Sequence, residues 1–124
     1  MLKQFEIWIA DLNPRIGTEP GKTRPVLVVQ TNLLNKVNHP STIICPLTTK
    51  IQKGAEVLRV RIRKAEVESL QQDCDIMIDQ LRAIDNKRLI RKVAVLPPDL
   101  VEKVKENIAI LLDLDYWLNP PKQM

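Results

Sequence analysis

The chain is poor in histidine, cysteine, aromatics and long apolar runs, and each shortage removes a class of function. Its one histidine, His39, lies in a polar stretch beside Pro40, which excludes a multi-histidine metal site and a Ser-His-Asp triad. Cys45 and Cys74 form no CxxC motif, so neither a zinc ribbon nor a disulfide framework is supported, and both read as small buried thiols. The longest uninterrupted apolar stretches, such as 25–29 and 108–112, fall far short of the roughly 20 residues a membrane-spanning helix needs. Glu6 and Asp11 interrupt the first apolar residues, so no secretory leader is read there and a cytoplasmic protein with no membrane association is expected. No metal or organic cofactor is called for by any motif. Only Phe5, Trp8, Tyr116 and Trp117 are aromatic.

What remains is an ordinary, foldable composition with an uneven charge. The 124 residues, 44% hydrophobic and 27% charged, fit one domain over 1–124 with a core of its own. The net charge of +4 suits an anionic partner. Between Lys50 and Lys64 six basic residues (Lys50, Lys53, Arg59, Arg61, Arg63, Lys64) face Glu56 alone, and five between Arg82 and Lys92 (Arg82, Lys87, Arg88, Arg91, Lys92) face Asp85. Residues 99–115 hold five acids against two lysines. Basic charge is therefore segregated, as either a solvated face or a track for phosphates.

Periodicity gives a series of short strands and one helix. The stretch 5–12 alternates apolar and polar residues before Asn13-Pro14, as a half-buried strand does. Residues 13–23 are turn-like, and 25–30 form an apolar, β-branched run suited to a strand buried on both faces, with Pro25 at its head. Thr31 can cap a short helix through Asn35. Strands are expected at 41–47, 56–63, 74–78 and 89–96, with Arg59, Arg61 and Arg63 sharing one face, and 64–72 is helix-like but short. Beyond Pro97-Pro98, Leu100, Val101, Val104, Ile108 and Leu111 fall on one side of a helix over 99–112, with Asp99 as its cap. This order predicts a mainly β (α+β) fold: a small, strongly bent antiparallel sheet or barrel, with short helices and a C-terminal amphipathic helix outside.

Four polar residues stand at strand-to-loop junctions: Glu19 in Gly17-Thr18-Glu19-Pro20, Arg24 in Thr23-Arg24-Pro25, Thr48 in Pro46-Leu47-Thr48-Thr49, and Asp79 in Asp79-Gln80-Leu81-Arg82. Each alone suits a solvated acid, a surface cation or a turn residue. Together with Glu6-Ile7-Trp8-Ile9-Ala10-Asp11-Leu12-Asn13-Pro14 and Arg24-Pro25-Val26-Leu27-Val28, their order and spacing resemble the MazF/PemK toxins of bacterial toxin–antitoxin modules, over nearly the whole chain. The resemblance implies a dimeric SH3-like barrel that cuts single-stranded RNA at short motifs without a metal. It also implies an antitoxin partner with an acidic, partly disordered tail. Arg24 and Thr48 match the family's active-site arginine and threonine, Glu19 a loop acid near the site, and Asp79 the proposed general base of the PemK-type branch. Two positions depart from that branch: Met77 stands where it has an arginine, and Thr18 where it has a histidine.

Such a reaction needs no histidine. Attack of a ribose 2′-OH on its own phosphate needs a proton acceptor and a cation for the charge developing on phosphate oxygens. Arg24 suits the cation role, Thr48 can donate to a non-bridging oxygen, and either Glu19 or Asp79 can accept the proton. Lys50, Lys53, Arg59, Arg61, Gln80, Arg82 and Arg88 are then candidates for contacts along the RNA. Trp8 is read as core or interface, and Tyr116 and Trp117 as packing on the barrel, a dimer contact or an antitoxin hold. Two alternatives stay open: a gyrase-inhibiting toxin of the same fold, whose partner-binding end carries a C-terminal tryptophan loosely echoed by Trp117, and a silent RNA-binding module.

Overall fold

The structure is a computed structural model that describes residues 2–54 and 58–114. The described residues form seven strands: β1 (Glu6–Asp11), β2 (Thr23–Val28), β3 (Ser41–Thr48), β4 (Arg59–Ile62), β5 (Cys74–Met77), β6 (Arg82–Asp85) and β7 (Leu89–Val95). A one-turn helix α1 (Asn32–Asn35) follows β2, and α2 (Pro98–Leu111) closes the described chain. All strand pairs are antiparallel, in the order β4-β5-β3-β2-β1-β7, with β6 also on β3.

Strand β3 organises this sheet. Along one edge its first half pairs with β6 and its last two residues with β5, while its other edge pairs with β2. Register shifts between Ile7 and Trp8 and between Ile9 and Ala10 interrupt the β1–β7 ladder, and such irregularities bend and twist a strand. The result is the strongly bent sheet that the strand pattern predicts.

The apolar run in β2 serves two cores because consecutive side chains leave a strand on opposite faces. Leu27, with Ile7, Cys45, Leu47, Ile62 and Ile76, joins a large cluster that also takes Leu100 and Val104 of α2. Val26 and Val28 join Ala10, Leu12, Ile44 and Ile84 in a smaller cluster on the other face. Trp8 packs at the edge of that second cluster, and its indole N–H donates to Glu6 at 3.1 Å. Cys45 and Cys74 are buried, free thiols. Burial first, and then the charge of Asp79, pushes the Cys45 thiol up to about 12, so it stays protonated and inert at neutral pH.

Glu6 is a buried carboxylate inside β1, and its oxygens are fully engaged. It accepts from the Lys3 backbone at 2.8 Å and from Trp8, and pairs with the Lys92 ammonium at 2.9 Å. Burial alone raises its pKa, but the bonds from Lys92, Trp8 and Lys3 outweigh that and hold the carboxyl below the usual range.

Several expectations are corrected. The cap of α2 is Pro97, and Asp99 lies inside the first turn instead, where its charge suits the helix dipole. The helix-like stretch at 64–72 contains only a 3-10 turn, Lys64–Glu66. The strand expected over 56–63 is described only as Arg59–Ile62, with 55–57 outside the described residues. Strand β6 was not anticipated: of its four residues only Ile84 is buried, too little for a period to emerge. Thr31 caps α1 as expected, accepting from the Leu33 backbone at 3.2 Å. Tyr116 and Trp117 lie outside the described residues. No helix among the described residues is long and apolar enough to cross a membrane.

Candidate active site

Arg24 and Thr48 are brought together by strand register. The β2–β3 ladder ends with Val26 paired to Pro46; its register, continued two residues outward, places Arg24 across from Thr48, and both line one cleft. One guanidinium N–H bonds the Leu47 carbonyl at 3.3 Å, and Nε bonds the Gly21 carbonyl at 2.8 Å. These bonds fix the head group while leaving its remaining N–H donors for a ligand. Burial, and then the neighbouring Arg15, draws the Arg24 pKa below the ordinary arginine value, although such a group stays charged at neutral pH. The Thr48 hydroxyl accepts from the Lys50 backbone at 3.1 Å, which leaves its proton free to donate.

The pair sits in an open cleft of about 630 Å³ between the β1–β2 loop, the ends of β2 and β3, and β4. Among the described residues five cationic side chains line it, Arg15, Lys22, Arg24, Lys50 and Arg59, against one acid, Glu19. A concave surface carrying this imbalance attracts anions and lowers the cost of charge developing on them.

The β1–β2 loop that carries Glu19 is tied down at several points. Arg88 donates through Nη1 to the Asp11 carbonyl at 3.0 Å and the Asn13 carbonyl at 2.6 Å. The Asn13 side chain accepts from the Lys22 backbone at 2.9 Å, and the Leu12 N–H bonds the Lys22 carbonyl at 2.9 Å. Near the tip, Glu19 pairs with Arg82 at 3.0 Å. At Gly21 the loop passes so close to itself that a Cβ would lie 2.7 Å from that of Arg15, so only glycine fits without a backbone shift.

The other candidates separate into distinct roles. Lys50 and Arg59 line the cleft; Lys53 is exposed on the turn after β3, whose Gln52 also lines it. Arg59 donates to the Lys50 carbonyl at 3.2 Å. Arg61 turns to Asp75 at 2.6 Å, outside the cleft lining. Arg82 engages Glu19, and the Arg88 guanidinium is directed at the loop carbonyls. Asp79 and Gln80 belong to a 3-10 turn after β5, and neither lines the cleft. Of the two candidate proton acceptors, only Glu19 faces it.

Two residues were missed. Asp75, 3% exposed at its side chain, lies between Arg61 and Arg59, the latter at 3.8 Å. An acid inside the otherwise apolar stretch 74–78 is the sequence signal that could have found it. Arg15 lies in a turn-like segment with no pattern to mark it.

Comparisons with known proteins match nearly the whole chain. Residues 3–112 match the family described as PemK-like, MazF-like toxin of type II toxin–antitoxin system. The chain is 35% identical over 114 residues to Endoribonuclease EndoA of Bacillus subtilis (strain 168), covering 92% of this chain and 97% of that protein. Among solved structures, MazF from Deinococcus radiodurans matches with a TM-score of 0.74 at 23% identity, over 90% of this chain and 96% of that one. An endoribonuclease solved in complex with its cognate antitoxin, from a mycobacterial species, matches with a TM-score of 0.73 at 17% identity, over 92% and 97%. The likeness to these two structures is one of fold.

Proposed function

Because this chain belongs to the PemK-like, MazF-like toxins of type II toxin–antitoxin systems, we propose that its cleft is the active site of an endoribonuclease that cuts single-stranded RNA at a short sequence motif and so arrests translation. The observation that carries this reading is the register-set pair of Arg24 and Thr48 at the floor of a cation-lined cleft.

The scissile phosphate lies against the free Arg24 donors, with the Thr48 hydroxyl on a non-bridging oxygen. Glu19 accepts the proton of the ribose 2′-OH. The 2′ oxygen bonds to phosphorus, the bond to the 5′ oxygen breaks, and that oxygen takes a proton from solvent, leaving a cyclic 2′,3′-phosphate and a 5′-hydroxyl. Charge builds on the phosphate oxygens as the fifth bond to phosphorus forms, and fixed donors aimed there are worth most at that moment. The nucleophile belongs to the RNA and the cation to Arg24, so no step requires a metal. Arg82 holds the Glu19 carboxylate in place, while Lys50 and Arg59 hold phosphates beside the cut.

The same surface suits a cognate antitoxin with an acidic, partly disordered tail that orders on the cleft and blocks it. We further propose that the protein works as a homodimer in the cytoplasm.

The test is incubation with a long single-stranded RNA in excess EDTA, beside Arg24→Ala, with the 5′ end of every fragment mapped. Cuts at one short motif that persist in EDTA and vanish in the variant are expected. Intact RNA overturns the reading and turns attention to DNA gyrase; equal cutting by Arg24→Ala overturns the site.

A further inference from the structure

A second cavity, of about 460 Å³, opens beside the cleft. The two share Pro25, Thr49 and Cys74. Pro25 and Thr49 stand next to Arg24 and Thr48 in the chain, and the shared residues make the second cavity open at the margin of the cleft.

The lining of this cavity differs from that of the cleft. Among the described residues no carboxylate lines it, and its walls mix apolar side chains with uncharged polar ones. Gln71 and Gln72, on the loop before β5, present side-chain amides that make no hydrogen bond to any described residue. Across from them on β7, the Lys92 charge is committed to Glu6 at 2.9 Å. Arg91 has no carboxylate partner among the described residues. The volume suits a small planar ligand between apolar walls. A glutamine amide both donates and accepts, as the edge of a nucleobase requires. Splayed bases of single-stranded RNA are read in this way, at their edges in a partly apolar slot.

We propose that this second cavity seats the base of a nucleotide flanking the cut, with the Gln71 and Gln72 amides bonding its edge and Arg91 holding its phosphate. The proposal rests on the cleft being the cutting site. It makes the 71–72 loop a determinant of which sequence is cut, separate from the residues that cut it.

The test is a pool of single-stranded RNAs with a randomised stretch, cut in EDTA by the wild type, by the double variant Gln71→Ala/Gln72→Ala and by Arg91→Ala. The double variant is expected to lose base preference at one position beside the cut by roughly ten-fold or more, the worth of a lost two-bond base contact, with preference elsewhere unchanged. Arg91→Ala is expected to slow cutting of every sequence alike and to weaken its salt dependence. Sequences compete in one tube, so their ratio is independent of how much protein is folded. Gln71→Glu, similar in size but only accepting, is expected to move the preference toward bases that present donors. Unchanged preference in both glutamine variants, or a uniform loss across all sequences, overturns the proposal while leaving the nuclease intact. A wild type that leaves the pool uncut overturns the nuclease reading, and this inference with it.

Discussion

Replacing Arg24 by lysine keeps the charge and removes the fork. The guanidinium has five N–H donors, and the structure commits two of them, to the Gly21 and Leu47 carbonyls. Three remain, enough for a bidentate contact to phosphate. A lysine ammonium has three donors on a flexible stem, so it cannot hold both carbonyls and grip two phosphate oxygens as well. Each charge-assisted bond is worth about 1.5–3 kcal/mol, and the lysine keeps one phosphate contact of the two. With additional loss of anchoring, the transition state loses about 2–4 kcal/mol. At about 1.4 kcal/mol per factor of ten, Arg24→Lys should cut some 30- to 1,000-fold more slowly. RNA affinity, which depends on total charge, should change by only a few-fold. Single-turnover cleavage of a short substrate in EDTA gives the first quantity and fluorescence anisotropy under non-cleaving conditions the second. Cutting by the lysine variant within about three-fold of wild type would refute the idea that donor geometry, rather than charge, does the chemistry.

Arg88→Ala should slow cleavage by freeing the base of the β1–β2 loop, but the slope of log affinity against log salt should not change; a fall of about 0.7 would mark Arg88 as a phosphate contact instead. Asp75→Asn leaves Arg59 and Arg61 without their shared counter-charge. With the Arg61 side chain 42% exposed and solvent screening its share, we expect a loss of about 1–3 kcal/mol in urea denaturation, and wild-type stability would refute the role given to Asp75. Glu6 has its carboxyl held below the ordinary value of 4.5, so the stability it contributes is present above that pH and is lost as pH falls through its lower folded value. Urea midpoints measured downward from pH 7 should drop more steeply for wild type than for Glu6→Gln below about pH 4.5, and parallel curves would contradict this.

The parts of the fold that could be read from the chain are those with an unbroken period. Leu100, Val104 and their neighbours repeat at helical spacing, and the continuous run at 25–29 does serve a core on each face. Strand β6 could not be read, because its pairing to β3 is a long-range decision that leaves no mark in four residues. The shared face expected of Arg59, Arg61 and Arg63 holds for the first two, since β4 ends at Ile62, yet the carboxylate that meets them comes from a strand 14 or more residues away, and sequence spacing carries no information about strand partners. The same limit explains Asp79 and Gln80. Their motif marks them, but they sit on the turn after β5 and do not line the cleft, whereas Glu19 reaches it on a loop whose course depends on distant anchors such as Arg88 and Arg82.

The facing of Arg24 and Thr48 is a property of two hydrogen-bonded strands, and the connection between those strands, from residue 29 to residue 40, does not enter into it. Insertions in that connection, or in the loop that carries Gln71, leave the chemical pair where it is. A scaffold of this kind can change its target sequence without relearning how to cut, so descendants with new specificities are reachable by altering loops alone. Exchanging Gln71 and Gln72, while Val67 and Leu70 keep their place in the core, is a route to a cutter of different RNA.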